Sequence, residues 1–176
     1  RWGNPAVVGN GYIYTIGGND GAASDSVEYA KINADGTIGT WATTSSLGTA
    51  RYRHNAIAVN GYIYAVGGPS LNSVEYAKIN ADGTLGTWTP TSNMLGTRYG
   101  EAVISANGYI YVIGGNSGSG DLATTEYAAI NSNGTLGAWN SNTSMGTAQN
   151  IVNAVVANGY VYTIGGCGGA GCPSTQ

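Results

Sequence analysis

An eight-residue block recurs four times along the chain, and this repetition constrains the fold more than any other feature. Gly11-Tyr12-Ile13-Tyr14-Thr15-Ile16-Gly17-Gly18 returns as Gly61-Tyr62-Ile63-Tyr64-Ala65-Val66-Gly67-Gly68. It returns again from Gly108 to Gly115 and from Gly159 to Gly166, so the copies start 50, 47 and 51 residues apart. A second block, Val27-Glu28-Tyr29-Ala30, Val74-Glu75-Tyr76-Ala77 and Thr125-Glu126-Tyr127-Ala128, follows the first three copies and leads on to Trp41, Trp88 and Trp139. Matched copies at a period near 50 residues describe an array of like units, each burying its apolar face against its neighbours. The units run 1–50, 51–97 and 98–148, with a partial unit over 149–176.

Each full unit reads as four short strands. Asn10-Gly11, Asn60-Gly61, Asn107-Gly108 and Asn158-Gly159 accept positive φ at both central positions of a tight hairpin, so they predict a type I′ turn between the first and second strands. The second strand alternates tyrosine with branched apolar residues, which suit a pleated surface. The glycine pair after it permits a sharp exit and a close backbone approach. Asp35-Gly36, Asp82-Gly83 and Asn133-Gly134 mark the turn from the third strand to a fourth, which is expected to run up to the tryptophan. No segment has helical periodicity.

Four antiparallel strands per unit describe a propeller blade. The glycine pair after an apolar strand, then the tyrosine, then the tryptophan resemble the kelch family, and Arg51-Tyr52-Arg53-His54 resembles the opening of a kelch unit. The resemblance covers almost the whole chain and implies an all-β fold of kelch-type β-propeller blades, about three and a half of them. It leaves function open, because kelch propellers include enzymes, adaptors and extracellular domains.

Length variation is confined to one place. Val27 to Gly61, Val74 to Gly108 and Thr125 to Gly159 each span 34 positions, so the differences fall in the loops at 19–26, 69–73 and 116–124, with 167–174 as their fourth counterpart. Rigid blades carrying variable loops are a usual arrangement for a binding surface. Those loops share an end of the blade with the inter-blade linkers and the mouth of the central channel. Gln176 aligns with Glu28, Glu75 and Glu126, inside a third strand. The expectation is a piece of a longer propeller, with joint closure of a ring by several chains as the alternative.

Several residues are candidates for a site. Arg1, Arg51 and Arg98 open three successive first strands, and Gln149 stands there in the fourth. Their guanidinium forks suit a carboxylate or sugar acid at the channel mouth, or else tie each blade to a neighbour, bonding loop carbonyls or Glu28, Glu75 and Glu126. Trp2, Tyr52 and Tyr99 follow them and are placed to stack on sugar rings. The tyrosines of the second strands and Trp41, Trp88 and Trp139 are expected to pack between blades. His54, the only histidine, is read as structural. Cys167 and Cys172 flank a glycine-rich stretch and are expected to form a small disulfide, which points to an oxidising compartment. They are too few for a structural zinc site, and Asp20, Asp25 and Asp121 form no Asp-x-Asp calcium motif. Asn133-Gly134-Thr135 and Asn142-Thr143-Ser144 match glycosylation sequons.

Composition narrows the partners. Charged residues make up 9% of the chain, against about 25% in an average soluble domain. A net charge of −3 with six scattered basic residues argues against nucleic acid, and no apolar run reaches the roughly 18 residues of a membrane span. There is no catalytic triad, phosphate loop or pair of carboxylates at catalytic spacing, so neither an enzyme nor a cofactor is expected. The expected function is an extracellular or cell-surface propeller that binds a glycan or protein ligand in adhesion or recognition. Alternatives are a sugar-active enzyme resembling kelch mutarotases or oxidases, with Arg51, Arg98 and Glu101 around the channel, and a building block of a surface assembly.

Overall fold

A computed structural model describes residues 1–168 of the chain. Among them there is no helix, and three four-stranded antiparallel sheets are followed by a two-stranded one. The first blade is β1 (Ala6–Gly9), β2 (Tyr12–Ile16), β3 (Val27–Lys31) and β4 (Ala42–Thr43). The second is β5 (Asn55–Val59), β6 (Tyr62–Val66), β7 (Val74–Lys78) and β8 (Thr89–Pro90). The third is β9 (Ala102–Ala106), β10 (Tyr109–Ile113), β11 (Thr125–Ala129) and β12 (Asn140–Asn142). β13 (Asn153–Ala157) and β14 (Tyr160–Ile164) form the last hairpin. Strands pair in chain order within each sheet, and the inner strands lie side by side as β1 on β5, β5 on β9 and β9 on β13.

The inner hairpins form as the Asn-Gly pairs predict: Asn10, Asn60, Asn107 and Asn158 have φ between 51° and 54°, and the following glycines between 78° and 82°. The outer turns are built differently. Gly36, Gly83 and Gly134 alone take positive φ there, and the residue before each bonds the threonine after it: Asp35 Oδ1 accepts from Thr37 N–H at 3.0 Å and from its hydroxyl at 2.6 Å. Asp82 and Asn133 repeat this with Thr84 and Thr135. The fourth strand differs from expectation as well. Its pairing begins after the tryptophan, at Ala42, Thr89 and Asn140, because the indole turns away from its own sheet: Trp88 Nε1 donates to Ser45 O, and Trp139 Nε1 to Ser92 O, both at 2.9 Å.

The apolar core lies between blades rather than within them. One buried cluster joins Tyr14, Ile16, Val27 and Leu47 of the first blade and its linker to Ile63, Ala77, Leu85 and Trp88 of the second. Another joins Tyr64, Val66, Val74 and Met94 to Ile110, Ala128, Leu136 and Trp139. Both contain the same contact: the hydroxyl of Tyr14 donates to Gly83 O, and that of Tyr64 to Gly134 O, at 2.8 Å. Beside that bond the ring of Tyr12 lies over Gly83 and the ring of Tyr62 over Gly134. A Cβ on either glycine would sit 2.4 or 2.6 Å from the ring. Burial drives both tyrosine hydroxyls well above their usual pKa, that of Tyr14 to about 12.

Gly36 occupies the same turn in the first blade with open space around it. Asparagine accepts positive φ, so Gly36→Asn should change stability by no more than about 0.5 kcal/mol. Gly83→Asn meets the Tyr12 ring and should cost roughly 2 kcal/mol or more. Urea denaturation of the two variants checks this, and equal losses would contradict the packing described.

Candidate functional site

Residues entering each inner strand form the end of the molecule where blades, linkers and variable loops converge. The first of them, Arg1, Arg51, Arg98 and Gln149, locks its unit in place. Gly18 N–H donates to Arg51 O, Gly68 N–H to Arg98 O and Gly115 N–H to Gln149 O, tying each glycine pair to the following unit at 2.8–2.9 Å. A Cβ on Gly17 or Gly67 would come within 2.6 Å of that same arginine carbonyl, which accounts for glycine there.

The buried arginine side chains turn into their own blades. Arg51 donates to Gly67 O at 2.9 Å, Ser73 O at 3.1 Å and Glu75 Oε1 at 2.6 Å, while Glu75 Oε2 accepts the linker amide of Gly48 at 2.7 Å. Arg98 repeats the set with Gly114 O, Thr124 O and Glu126, whose second oxygen takes the amide of Leu95. Arg1 reaches Ser26 and Glu28 in the same way but at the surface. A buried ion pair is stable only when its remaining polar atoms are satisfied, and here carbonyls and linker amides do that. The expected partners, loop carbonyls and the third-strand glutamates, are the ones found, but they belong to the arginine's own blade and not to a neighbour.

The third residue of each entry has positive φ in every unit: Gly3, Arg53, Gly100 and Ile151, at 66°, 51°, 65° and 54°. Their main chains link successive blades around the axis. Arg53 N–H donates to Gly3 O at 2.6 Å, Gly100 N–H to Arg53 O at 2.8 Å, and Val152 N–H to Gly100 O at 3.3 Å. Inside this chain of bonds lies a recess of about 450 Å³ to which all four units contribute, lined among others by Trp2, Asn4, Arg53, Tyr99 and Asn150. Arg53 is exposed, its guanidinium 5.2 Å from the Trp2 ring centroid and 5.8 Å from that of Tyr99. Among the described residues it makes no side-chain hydrogen bond or ion pair.

Trp2 and Tyr99 thus come together at the recess, whereas Arg1, Arg51, Tyr52 and Arg98 do not line it. Tyr52 meets the Trp2 ring edge-on at 5.3 Å. Arg53 was not singled out from the sequence, although it stands where two other units carry glycine. Cys167 pairs its backbone with Asn150 at 2.7 Å in both directions, and Cys172 lies outside the described residues, as does most of the loop at 167–174.

The fourth entry residues, His54 and Glu101, are buried against the glycine pair of the preceding unit, beside Gly17 and Gly67. Both ring nitrogens of His54 and both carboxyl oxygens of Glu101 lack hydrogen bonds. Burial, with Arg51 nearby, lowers the His54 pKa to about 3. Burial raises that of Glu101 to about 8; the Glu101 and Asn55 amides and the Arg98 and Arg51 charges pull the other way.

Breaking one side of a buried pair leaves the other charge unpaired, so Arg51→Ala and Arg98→Ala should each cost about 3–5 kcal/mol. Arg1→Ala should cost about 1 kcal/mol or less. Urea melts separate these values, and equal losses would refute the distinction.

Glu101 and His54 set opposing pH limits. The folded chain keeps a proton on Glu101 that the unfolded chain releases above its ordinary 4.5, so stability falls as pH rises toward about 8. The unfolded chain takes up a proton on His54 below 6.5 that the folded chain refuses until about 3, so stability also falls as pH drops through that window. Between pH 4.5 and 6.5 the two slopes oppose, leaving a plateau. Glu101→Gln should remove the decline above pH 6.5 and keep the acid limb; an unchanged alkaline limb in denaturation against pH would contradict the assignment.

In comparisons with known proteins, no family model and no curated protein matches this chain.

Proposed function

We propose that the chain is a non-enzymatic, kelch-type propeller segment, secreted or held at the cell surface, that binds a ligand on the face carrying its variable loops. The single observation that carries this reading is the recess on the axis, where Arg53 stands between Trp2 and Tyr99 and, among the described residues, has no hydrogen-bonded or ion-paired side-chain partner. An exposed guanidinium flanked by rings can take a carboxylate on its fork in two bonds. The exposed Trp2 ring beside it favours the apolar face of a sugar. An acidic glycan combines both features, and an acidic protein loop supplies the first alone. The sugar-mutarotase alternative asks for Arg51 and Arg98 around the channel, and both guanidinium groups are held by Glu75 and Glu126. Sparse charge and the disulfide expected between Cys167 and Cys172 support the extracellular setting.

A glycan array probed with the labelled chain tests the reading. Binding to glycans that carry uronic or sialic acid is expected, with a loss of at least about tenfold in Arg53→Ala and little change in its unfolding midpoint. No signal on acidic glycans together with no binding to acidic peptides would overturn it, and so would binding that is indifferent to Arg53.

A further inference from the structure

The outer turns of the three blades share their side-chain hydrogen bonds and differ in the group that closes them. In each, an asparagine amide donates to a threonine hydroxyl at 2.9–3.0 Å, and that hydroxyl donates to a side-chain oxygen at 2.6–2.7 Å. The relay runs Asn33 to Thr37 to Asp35, Asn80 to Thr84 to Asp82, and Asn131 to Thr135 to Asn133. The closing oxygen also accepts the threonine N–H. Two blades end the relay on a carboxylate and the third on a carboxamide. Aspartate makes every one of these bonds, so Nδ2 of Asn133 has no part in holding the turn. Among the described residues it donates to nothing. Asn133 is exposed, although Gly134 beside it is buried beneath the Tyr62 ring. That exposure belongs to a complete junction, because Asp82 holds the same position in the blade with a neighbour on each side and is exposed too.

We propose that Asn133 is an acceptor for an N-linked glycan, added as the chain passes through a secretory compartment. The compartment rests on the extracellular reading above; the site rests on the turn. In the transfer, Nδ2 attacks the anomeric carbon of an oligosaccharide carried on a lipid diphosphate. The bond from that carbon to the phosphate oxygen breaks, the lipid diphosphate leaves, and one Nδ2 proton passes to the transferring enzyme. Such a transfer requires a hydroxyl residue two positions on, which Thr135 supplies. In the folded chain Thr135 holds the Oδ1 edge of the carboxamide, and the Nδ2 edge carries the sugar into solvent without displacing the Tyr62–Gly134 contact. The second sequon lacks this arrangement. Asn142 Oδ1 accepts the adjacent Thr143 amide at 2.8 Å, and among the described residues Ser144 makes no bond to it. The Asn133 turn lies at the end of the strands remote from the axial recess, so a glycan there leaves the ligand face open.

Secretion of the full chain from cultured animal cells behind a cleavable signal segment tests the proposal, with intact mass as the readout. A mass above the 17.8 kDa of the bare chain is expected. Peptide N-glycosidase should remove the increase and convert Asn133 to aspartate in the peptide that contains it. Asn133→Asp keeps the turn as Asp82 does and should lose the increase, whereas Asn142→Asp should retain it. Enzymatic release leaves aspartate at position 133, so the treated parent and Asn133→Asp are the same polypeptide and should unfold at the same urea concentration. The added signal supplies the compartment whatever the native location, so a failure here counts against Asn133 and leaves the extracellular reading standing. Localisation of the protein in its source cells tests that reading separately. A secreted chain of bare mass, an increase that survives undiminished in Asn133→Asp, or one that disappears in Asn142→Asp would each overturn the proposal.

Discussion

A single four-stranded sheet has two faces and no interior, and this constraint shapes everything else in the molecule. A blade of this size cannot shield its tyrosines and branched residues from water by itself, so the apolar clusters form where one blade meets the next. The tyrosine seated on a glycine turn is the recurring unit of that contact. It joins ring burial to one hydrogen bond at a carbonyl that is otherwise out of reach of water. Glycine is required on one side of the contact because the ring occupies the space of a side chain.

Polar groups are arranged around the same junctions. Carrying the chain from an outer strand back to the axis brings main-chain amides and carbonyls into a crowded, partly dry region, where each must be paired. The arginine at the entry to a blade and the glutamate on its third strand do this together. They gather the carbonyls that flank the variable loop and hold the linker amide. Loop length can then vary from 69–73 to 116–124 without moving the blade, because the loop is pinned at both ends. The rigid frame and the variable surface are separate in space, an arrangement consistent with the proposed recognition at the axial end.

Much of this was legible in the sequence, for identifiable reasons. The Asn-Gly hairpins and the glycine pairs depend on backbone conformation, which residue type reports locally. The interior tyrosines and the arginine–glutamate tie could be anticipated because they recur at matched positions. What recurs less was harder to read. The fourth entry residue is Asn4, His54, Glu101 or Val152, and the last three are buried against the glycine pair of the preceding unit, 34 to 38 residues away in sequence. Arg53 escaped notice because its distinction lies in a positive φ and in rings contributed by two other units. The start of the fourth strand was misplaced because the tryptophan answers to the adjacent blade instead of its own ladder.

Native-state hydrogen exchange at a concentration where the chain is monomeric tests most directly whether stability resides between blades. Amides of β6, in the blade covered on both faces, should exchange only through global unfolding. Those of β14, with its apolar face open, should exchange through a local opening of lower free energy. Equal opening free energies for β6 and β14 would contradict an account in which the contact between neighbours, rather than the sheet itself, holds the structure together.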